Sequence, residues 1–159
     1  NSALLCDILL ENSTVADIGS GAGLPGIPVA IARPDLEVFL IEPLLRRVTF
    51  LNEAVEKLGL ENVTVIRGRA EEKTVQQKVG KVDFITSRAV APLAKLAKWS
   101  ASFADKGSYL VALKGSSAAE EIERDANAVG IAGWRNEEVV QLHRDGGVDD
   151  TYVIRAIHI

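Results

Sequence analysis

The stretch that most constrains this chain is Val15 to Gly26, VADIGSGAGLPG. A short apolar strand through Val15, Ala16 and Ile18 runs into a cluster of glycines, and the helix-compatible run IPVAIA follows. Strand, tight turn and helix start in that order describe a nucleotide-type binding turn. Gly19, Gly21 and Gly23 can take positive φ there and let the backbone approach a ligand, because no Cβ intervenes. Pro25 suits the first turn of the helix, where an N–H is not needed.

Gly21, Gly23 and Gly26 satisfy GxGxxG, the dinucleotide fingerprint. That fingerprint begins where the strand ends, however, and the first glycine after the strand is Gly19, which puts Leu24 at its third position. The register that fits is acidic, apolar, Gly, x, Gly, x, Gly, with Asp17 in the last turn of the strand. It resembles the first motif of class I S-adenosylmethionine-dependent methyltransferases. A dinucleotide needs helix N–H groups around its pyrophosphate, whereas S-adenosylmethionine carries no phosphate, and an acidic strand end tolerates its ammonium and sulfonium. Two readings stay open beside this one: an NAD-dependent oxidoreductase using the literal GxGxxG, and a turn that only joins a strand to a helix.

The 159 residues are read as one domain, 1–159, with a single substantial core. No apolar run approaches a membrane span and no signal peptide opens the chain, so a cytoplasmic protein away from membranes is expected. The single cysteine, Cys6, excludes an internal disulfide and a multi-thiolate zinc site; it lies in an apolar helical run and reads as a core residue. His143 and His158 are too few and too far apart in sequence for a metal site, and both read as solvent-facing. The chain contains no methionine, so Asn1 is not expected to be its natural start. A net charge of −4 argues mildly against a nucleic-acid partner, unless the basic groups are clustered.

In chain order, Ser2 to Leu10 reads as the end of an amphipathic helix, with Leu4, Leu5, Ile8 and Leu9 at helical spacing. After the glycine turn, Ile27 to Ala32 is a short helix and Glu37 to Ile41 a second strand closed by Glu42. Glu42 stands roughly 20 residues beyond the turn, the place of an acidic group that bonds ribose hydroxyls; a solvated strand-end carboxylate is the plainer alternative. Leu44 to Leu58 is a helix ended by Gly59, Val63 to Ile66 a third strand, Val82 to Thr86 a fourth, Pro92 to Ala104 a helix and Tyr109 to Leu113 a fifth strand. Ala118 to Val129 is the last helix, and Glu138 to Leu142, RDGGVDD and Tyr152 to Ile157 form a hairpin. Five strands separated by helices imply a parallel sheet with helices on both faces, and the final pair must run antiparallel. The expected fold is therefore α/β and Rossmann-like, in the pattern of class I methyltransferases.

Ligands of such folds bind beyond the carboxyl ends of the strands, which selects Asp17, Glu42, Ser87, Arg88 and Lys114. SRAVAPL after strand four offers no exocyclic-amine motif, and Cys6 is in the wrong part of the chain to be a pyrimidine C5 nucleophile. VADIGSGAGLPGIPVAIARP, FLIEPLLRRVTFLNE, RGRAEE, ITSRAVAPL and ALKG together resemble the RsmG (GidB) family of bacterial small-subunit ribosomal RNA guanine-N7 methyltransferases, over nearly the whole chain. The resemblance implies S-adenosylmethionine as cofactor, S-adenosylhomocysteine as product and 16S rRNA or the small ribosomal subunit as partner, with no metal, a monomeric protein and a further helical segment ahead of Asn1. It implies that Gly19 and Leu24 line the cofactor, Ala70 and Glu71 hold its adenosine, Arg88 completes the pocket and Lys114 lies close to the substrate; with Asp17, Ser20, Gly21 and Glu42 these form the expected cofactor site, and Arg88 and Lys114 are expected to serve catalysis. Arg46, Arg47, Arg67 and Arg69 are candidate phosphate contacts or plain solvated arginines. Guanine N7 carries an unprotonated lone pair, so no general base is expected. A non-catalytic RNA-binding module on the same fold is the remaining alternative.

Overall fold

The computed structural model describes residues 2–88, 91–143 and 151–159. Its elements are β1 (Thr14–Ile18), α1 (Gly26–Ala32), β2 (Glu37–Glu42), α2 (Leu45–Lys57), β3 (Val63–Arg67), α3 (Lys73–Val79), β4 (Val82–Arg88), α4 (Leu93–Ala101), β5 (Ala104–Lys114), α5 (Ala118–Ile131), β6 (Trp134–Leu142) and β7 (Thr151–His158). Seven strands form one sheet in the order β3-β2-β1-β4-β5-β7-β6. β1 to β5 are mutually parallel, and β7 runs antiparallel to both β5 and β6. From β1 the chain first builds outward through β2 and β3, then returns to place β4 on the other side of β1. That reversal opens a crevice above the carboxyl ends of β1 and β4, the place where open α/β sheets bind ligands.

Both faces of the sheet are covered, which is why its central strands read as nearly continuous apolar runs. One cluster joins Val15, Val38, Leu40, Phe84 and Val111 to Val29, Ala30 and Leu51 of α1 and α2. The other joins Ala16, Ile18, Ile41, Ile85 and Leu110 to Val75, Leu96, Ala97 and Val129 of α3, α4 and α5.

The structure departs from the sequence reading at several places. Ser2–Ile8 is a 3-10 helix, not the end of an α-helix; the segment is too short to sustain i→i+4 bonding alone, and the Arg33 guanidinium takes the free carbonyls of Cys6 and Leu9 at 2.7 and 2.9 Å. Pro25 precedes the first helical residue of α1. α3 was not foreseen, because Val75 and Val79 alone mark its buried side among polar residues. α4 ends at Ala101, and Ala104 opens β5 instead, since Val82 N–H bonds the Phe103 carbonyl and Ser108 Oγ bonds the Val82 carbonyl at 2.7 Å across an irregular register. β6 begins at the fully buried Trp134, four residues earlier than Glu138. The turn proposed at RDGGVDD and residues Ala89 and Val90 of SRAVAPL lie outside the described residues.

Candidate functional site

The turn after β1 is folded back onto β2. Gly19 and Ser20 N–H both donate to the Ile41 carbonyl, at 2.9 and 3.1 Å, and Gly23 N–H donates to the Ser20 carbonyl at 2.7 Å. Gly19, Gly21 and Gly23 have φ of 69°, 55° and 94°, a region that favours glycine. Gly26 is needed for a different reason: a Cβ there would stand 2.2 Å from Leu40 Cδ2 and 2.8 Å from Asp17 Oδ2, so α1 approaches the sheet only through a bare backbone.

Two carboxylates hold this turn. Asp17 is fully buried, and its Oδ2 accepts the Gly26 N–H at 3.1 Å. Burial pushes its carboxyl up from the ordinary 3.8 to about 8, against the Gly26 and Ser20 hydrogen bonds, and the Glu42 charge raises it further. Asp17 therefore sits beneath the turn rather than in the cavity, and does not offer its charge to a ligand as the sequence suggested. It also occupies the N-terminus of α1, the position a dinucleotide pyrophosphate requires. Glu42, with a side chain only 2% exposed, accepts the Gly21 N–H on Oε2 at 2.8 Å and the Leu44 N–H on Oε1 at 3.3 Å. Each oxygen keeps a second lone pair for a ligand hydroxyl.

Above them opens a cavity of about 580 Å³ lined by Gly19, Ser20, Gly21, Leu24, Glu42 and Arg88, together with Ala22, Pro43, Leu44 and Arg47. A smaller cavity of about 120 Å³ shares Gly19 and Pro43 with it and is lined by Ala70, Glu71 and Trp99 among others. The fold thus brings eight of the nine positions expected to bind the cofactor to these two cavities, with Asp17 beneath them. Arg88 is exposed at the end of β4 and makes no ion pair with the described residues. Arg47, named above only as a candidate phosphate contact, lines the main cavity with its Nη1 3.8 Å from Glu42 Oε1, and Trp99, not singled out at all, lines the smaller one. Arg47 was legible as a basic residue one turn after Glu42; Trp99 was not, since only the fold carries α4 to β1.

Lys114 stands apart. It lines a different cavity of about 680 Å³, with Ala91, Pro92, Ser117, Glu121 and Arg124. Its Nζ donates to Glu121 Oε1 at 2.9 Å and to the Ala91 carbonyl at 3.0 Å, and its side chain is 8% exposed. The same Glu121 oxygen accepts the Leu93 N–H at 2.7 Å, and Asp125 Oδ2 accepts the Ala94 N–H at 3.1 Å. Two carboxylates of α5 thus cap α4, which has no side-chain cap of its own, and Lys114 ties β5 into that junction. Lys114, expected to serve catalysis, thus lies in a separate cavity and ties β5 to α5.

Ser87 is buried and donates to the Ile18 carbonyl at 3.0 Å, bracing β4 to β1. Arg46, Arg67 and Arg69 are exposed, and Arg69 borders the smaller cavity. His158 corrects the expectation of a solvent-facing residue, since its ring packs edge-on against Trp134 at 4.9 Å. Cys6 is half-buried, and burial raises its thiol pKa. Among the described residues no three His, Cys, Asp or Glu side chains are grouped to hold a metal, and no helix is long and apolar enough to cross a membrane.

Residues 1–150 match the family described as GidB: rRNA small subunit methyltransferase G. The chain belongs to this family. It is 60% identical over 133 residues to ribosomal RNA small subunit methyltransferase G of Corynebacterium efficiens, covering 84% of this chain and 57% of that protein. Against the Corynebacterium glutamicum protein of the same name the identity is 62% over 139 residues, covering 87% of this chain and 62% of the other. The chain thus spans about three-fifths of the length of these GidB relatives. Among solved structures, Aeropyrum pernix fibrillarin in complex with natively bound S-adenosyl-L-methionine superposes with a TM-score of 0.73 at 20% identity, covering 98% of this chain and 73% of that one. The GidB chain accordingly has the fold of class I S-adenosylmethionine-dependent methyltransferases.

Proposed function

We propose that the protein transfers a methyl group from S-adenosylmethionine to N7 of a guanine in 16S ribosomal RNA, acting in the cytoplasm as a monomer on the RNA or the small ribosomal subunit. The observation that carries the cofactor reading is the buried Glu42 carboxylate, fixed by two backbone N–H groups on the wall of the glycine-lined cavity. The RNA substrate comes to this chain from the name its family and relatives carry.

The residues present fit this cofactor. Glu42 has lone pairs left for both ribose hydroxyls, and the bare backbone of Gly19 and Gly21 leaves room beside it. Ala70 and Glu71 line a narrow annex suited to the adenine, and Arg88 and Leu24 line the main cavity. When bound, S-adenosylmethionine supplies a methyl group activated by its sulfonium. This chain's own task is positioning: to keep the base in line, exclude water and leave N7 unprotonated, which neutral guanine already is at physiological pH. No side chain needs to remove a proton. The Arg88 guanidinium, free of an ion pair with the described residues, is placed to orient a carboxylate or the guanine O6. The Asp17 carboxyl at the N-terminus of α1 disfavours a dinucleotide pyrophosphate and with it the oxidoreductase reading.

The test is transfer of labelled methyl to 16S rRNA that lacks the modification, followed by mapping of the labelled nucleotide. Label at a guanine N7 is expected. RNA that is bound but never labelled would leave a binding module, and thermal stabilisation by NAD in place of S-adenosylmethionine would restore the oxidoreductase.

A further inference from the structure

The annex beside the main cavity has a construction of its own. It is lined by Gly68, Arg69, Ala70 and Glu71, a segment held by Gly68 N–H to the Glu42 carbonyl at 3.1 Å, Arg69 N–H to Glu72 Oε1 at 2.9 Å, Glu72 N–H to the Arg69 carbonyl at 3.1 Å, and Gln76 Nε2 to the Ala70 carbonyl at 3.0 Å. Gly68 cannot be replaced without disturbing that segment, since its φ is 150° and a Cβ would meet Val75 Cγ2 at 2.4 Å. Ile18 and Ile41 supply apolar walls, 3% and 1% exposed. Trp99 of α4 completes the lining, half-buried against the core cluster of that face. A space of about 120 Å³ holds only about four waters at ~30 Å³ each, far less than a whole nucleoside but suited to one flat ring system. The N–H groups of Ala70 and Glu71, at its edge, make no hydrogen bond to the described residues. Donors beside an apolar slot match a heteroaromatic ring with nitrogen acceptors on its edge.

We infer that Trp99 is a cofactor-contacting specificity residue: its indole packs against the adenine ring of the cofactor and selects a purine at that end. The inference rests on the proposed cofactor but not on the RNA substrate. Trp134, the chain's other tryptophan, lies outside this slot; it is fully buried, and its Nε1 donates to the Ala97 carbonyl at 2.9 Å. A ligand-dependent change in tryptophan emission therefore reports on Trp99.

The experiment measures intrinsic fluorescence and calorimetric affinity of wild type, Trp99→Phe and Trp99→Leu with S-adenosylhomocysteine, adenosine and methionine, alongside melting temperatures. S-adenosylhomocysteine and adenosine are expected to change the emission of wild type, and methionine is not. Trp99→Phe should abolish that change while holding affinity within about threefold, since an aromatic surface remains; Trp99→Leu should weaken S-adenosylhomocysteine by about fivefold or more with folding retained. Equal affinity in wild type and Trp99→Leu would overturn the inference alone. Absence of S-adenosylhomocysteine binding by wild type would overturn the cofactor reading and the inference with it. Should Trp99→Leu fail to fold, an emission change that persists in Trp99→Phe would still refute it.

Discussion

The two sides of the crevice are held together by the same device built from different sequence distances. On the β1–β2 side, Asp17 and Glu42 accept backbone N–H groups of Gly26 and Gly21, 9 and 21 residues away, and both are almost completely buried. On the β4–β5 side, Glu121 and Asp125 accept the N–H groups of Leu93 and Ala94, 28 and 31 residues away. Their side chains are 14% and 11% exposed, and both have cationic neighbours, Lys114 and Arg124. Asp17 has no cationic neighbour among the described residues, and Glu42 has only Arg47, 3.8 Å away on a largely exposed side chain, so no close ion pair fills the glycine turn. A carboxylate already matched by Lys114 leaves that ammonium little to offer a substrate. The first pair of carboxylates shapes the wall and floor of the glycine-lined cavity, and the second pair braces α4, α5 and β5.

The comparison breaks most severely at Gly26. Gly26→Val places branched carbon where even a Cβ would stand 2.2 Å from Leu40 Cδ2, and overpacking of this degree is expected to cost more than about 3 kcal/mol. Chemical denaturation should show a collapsed midpoint; a near-normal one would mean that α1 moves off the sheet freely. Glu42→Ala is next. Loss of charge-assisted bonds to the ribose, roughly 1.5 to 3 kcal/mol, should weaken S-adenosylmethionine at least about tenfold in calorimetry, and an unchanged affinity would remove the ribose assignment.

Glu121→Ala sharpens the contrast from the other side. It removes the acceptor of both Leu93 N–H and the Lys114 ammonium, and a stability loss of about 1 to 2 kcal/mol with cofactor affinity unchanged is expected. Lys114→Ala added to it should cost little more, because the two act as one unit. Additive losses, or a fall in methyl transfer on Lys114→Ala alone at unchanged stability, would return Lys114 to the substrate.

The same sequence distances explain what could be read in advance. Asp17, the glycines and Gly26 fall within one stretch of ten residues, so their spacing announces the turn. Glu42 follows at the distance one helix and one strand require. Five parallel strands and the terminal antiparallel pair were legible because apolar runs alternate with amphipathic ones. The Lys114 tether was not, since nothing in ALKG points to a carboxylate on the next helix that also caps α4. Nothing in the sequence singled out Trp99, because its place beside Ile18 arises only when β4 is laid next to β1. The depth of Asp17 also escaped notice, as a strand-end acid looks alike in sequence whether it faces the cavity or lies beneath it.

That depth has a test of its own. With its pKa raised to about 8, the Asp17 carboxyl is protonated in the folded protein at pH values where the unfolded chain, near the ordinary 3.8, is ionised. The folded state then holds the extra proton, so stability is greatest at the acid end of that interval and falls as pH rises from about 4 to about 8, by at most about 1.4 kcal/mol per pH unit. Asp35 and Asp125, whose pKa values are lowered by Arg33 and Arg124 through direct hydrogen bonds, act oppositely and only below the ordinary carboxylate range. Asp17→Asn cannot titrate, while its amide oxygen can still accept the Gly26 N–H. Urea denaturation across this interval should show wild type losing stability relative to Asp17→Asn as pH increases, with the two curves converging in slope above pH 8. Parallel curves throughout would mean that the carboxylate is ionised where it lies, reached by water or by a cation, and the contrast between the uncompensated Asp17 and the charge-paired carboxylates of α5 would be lost.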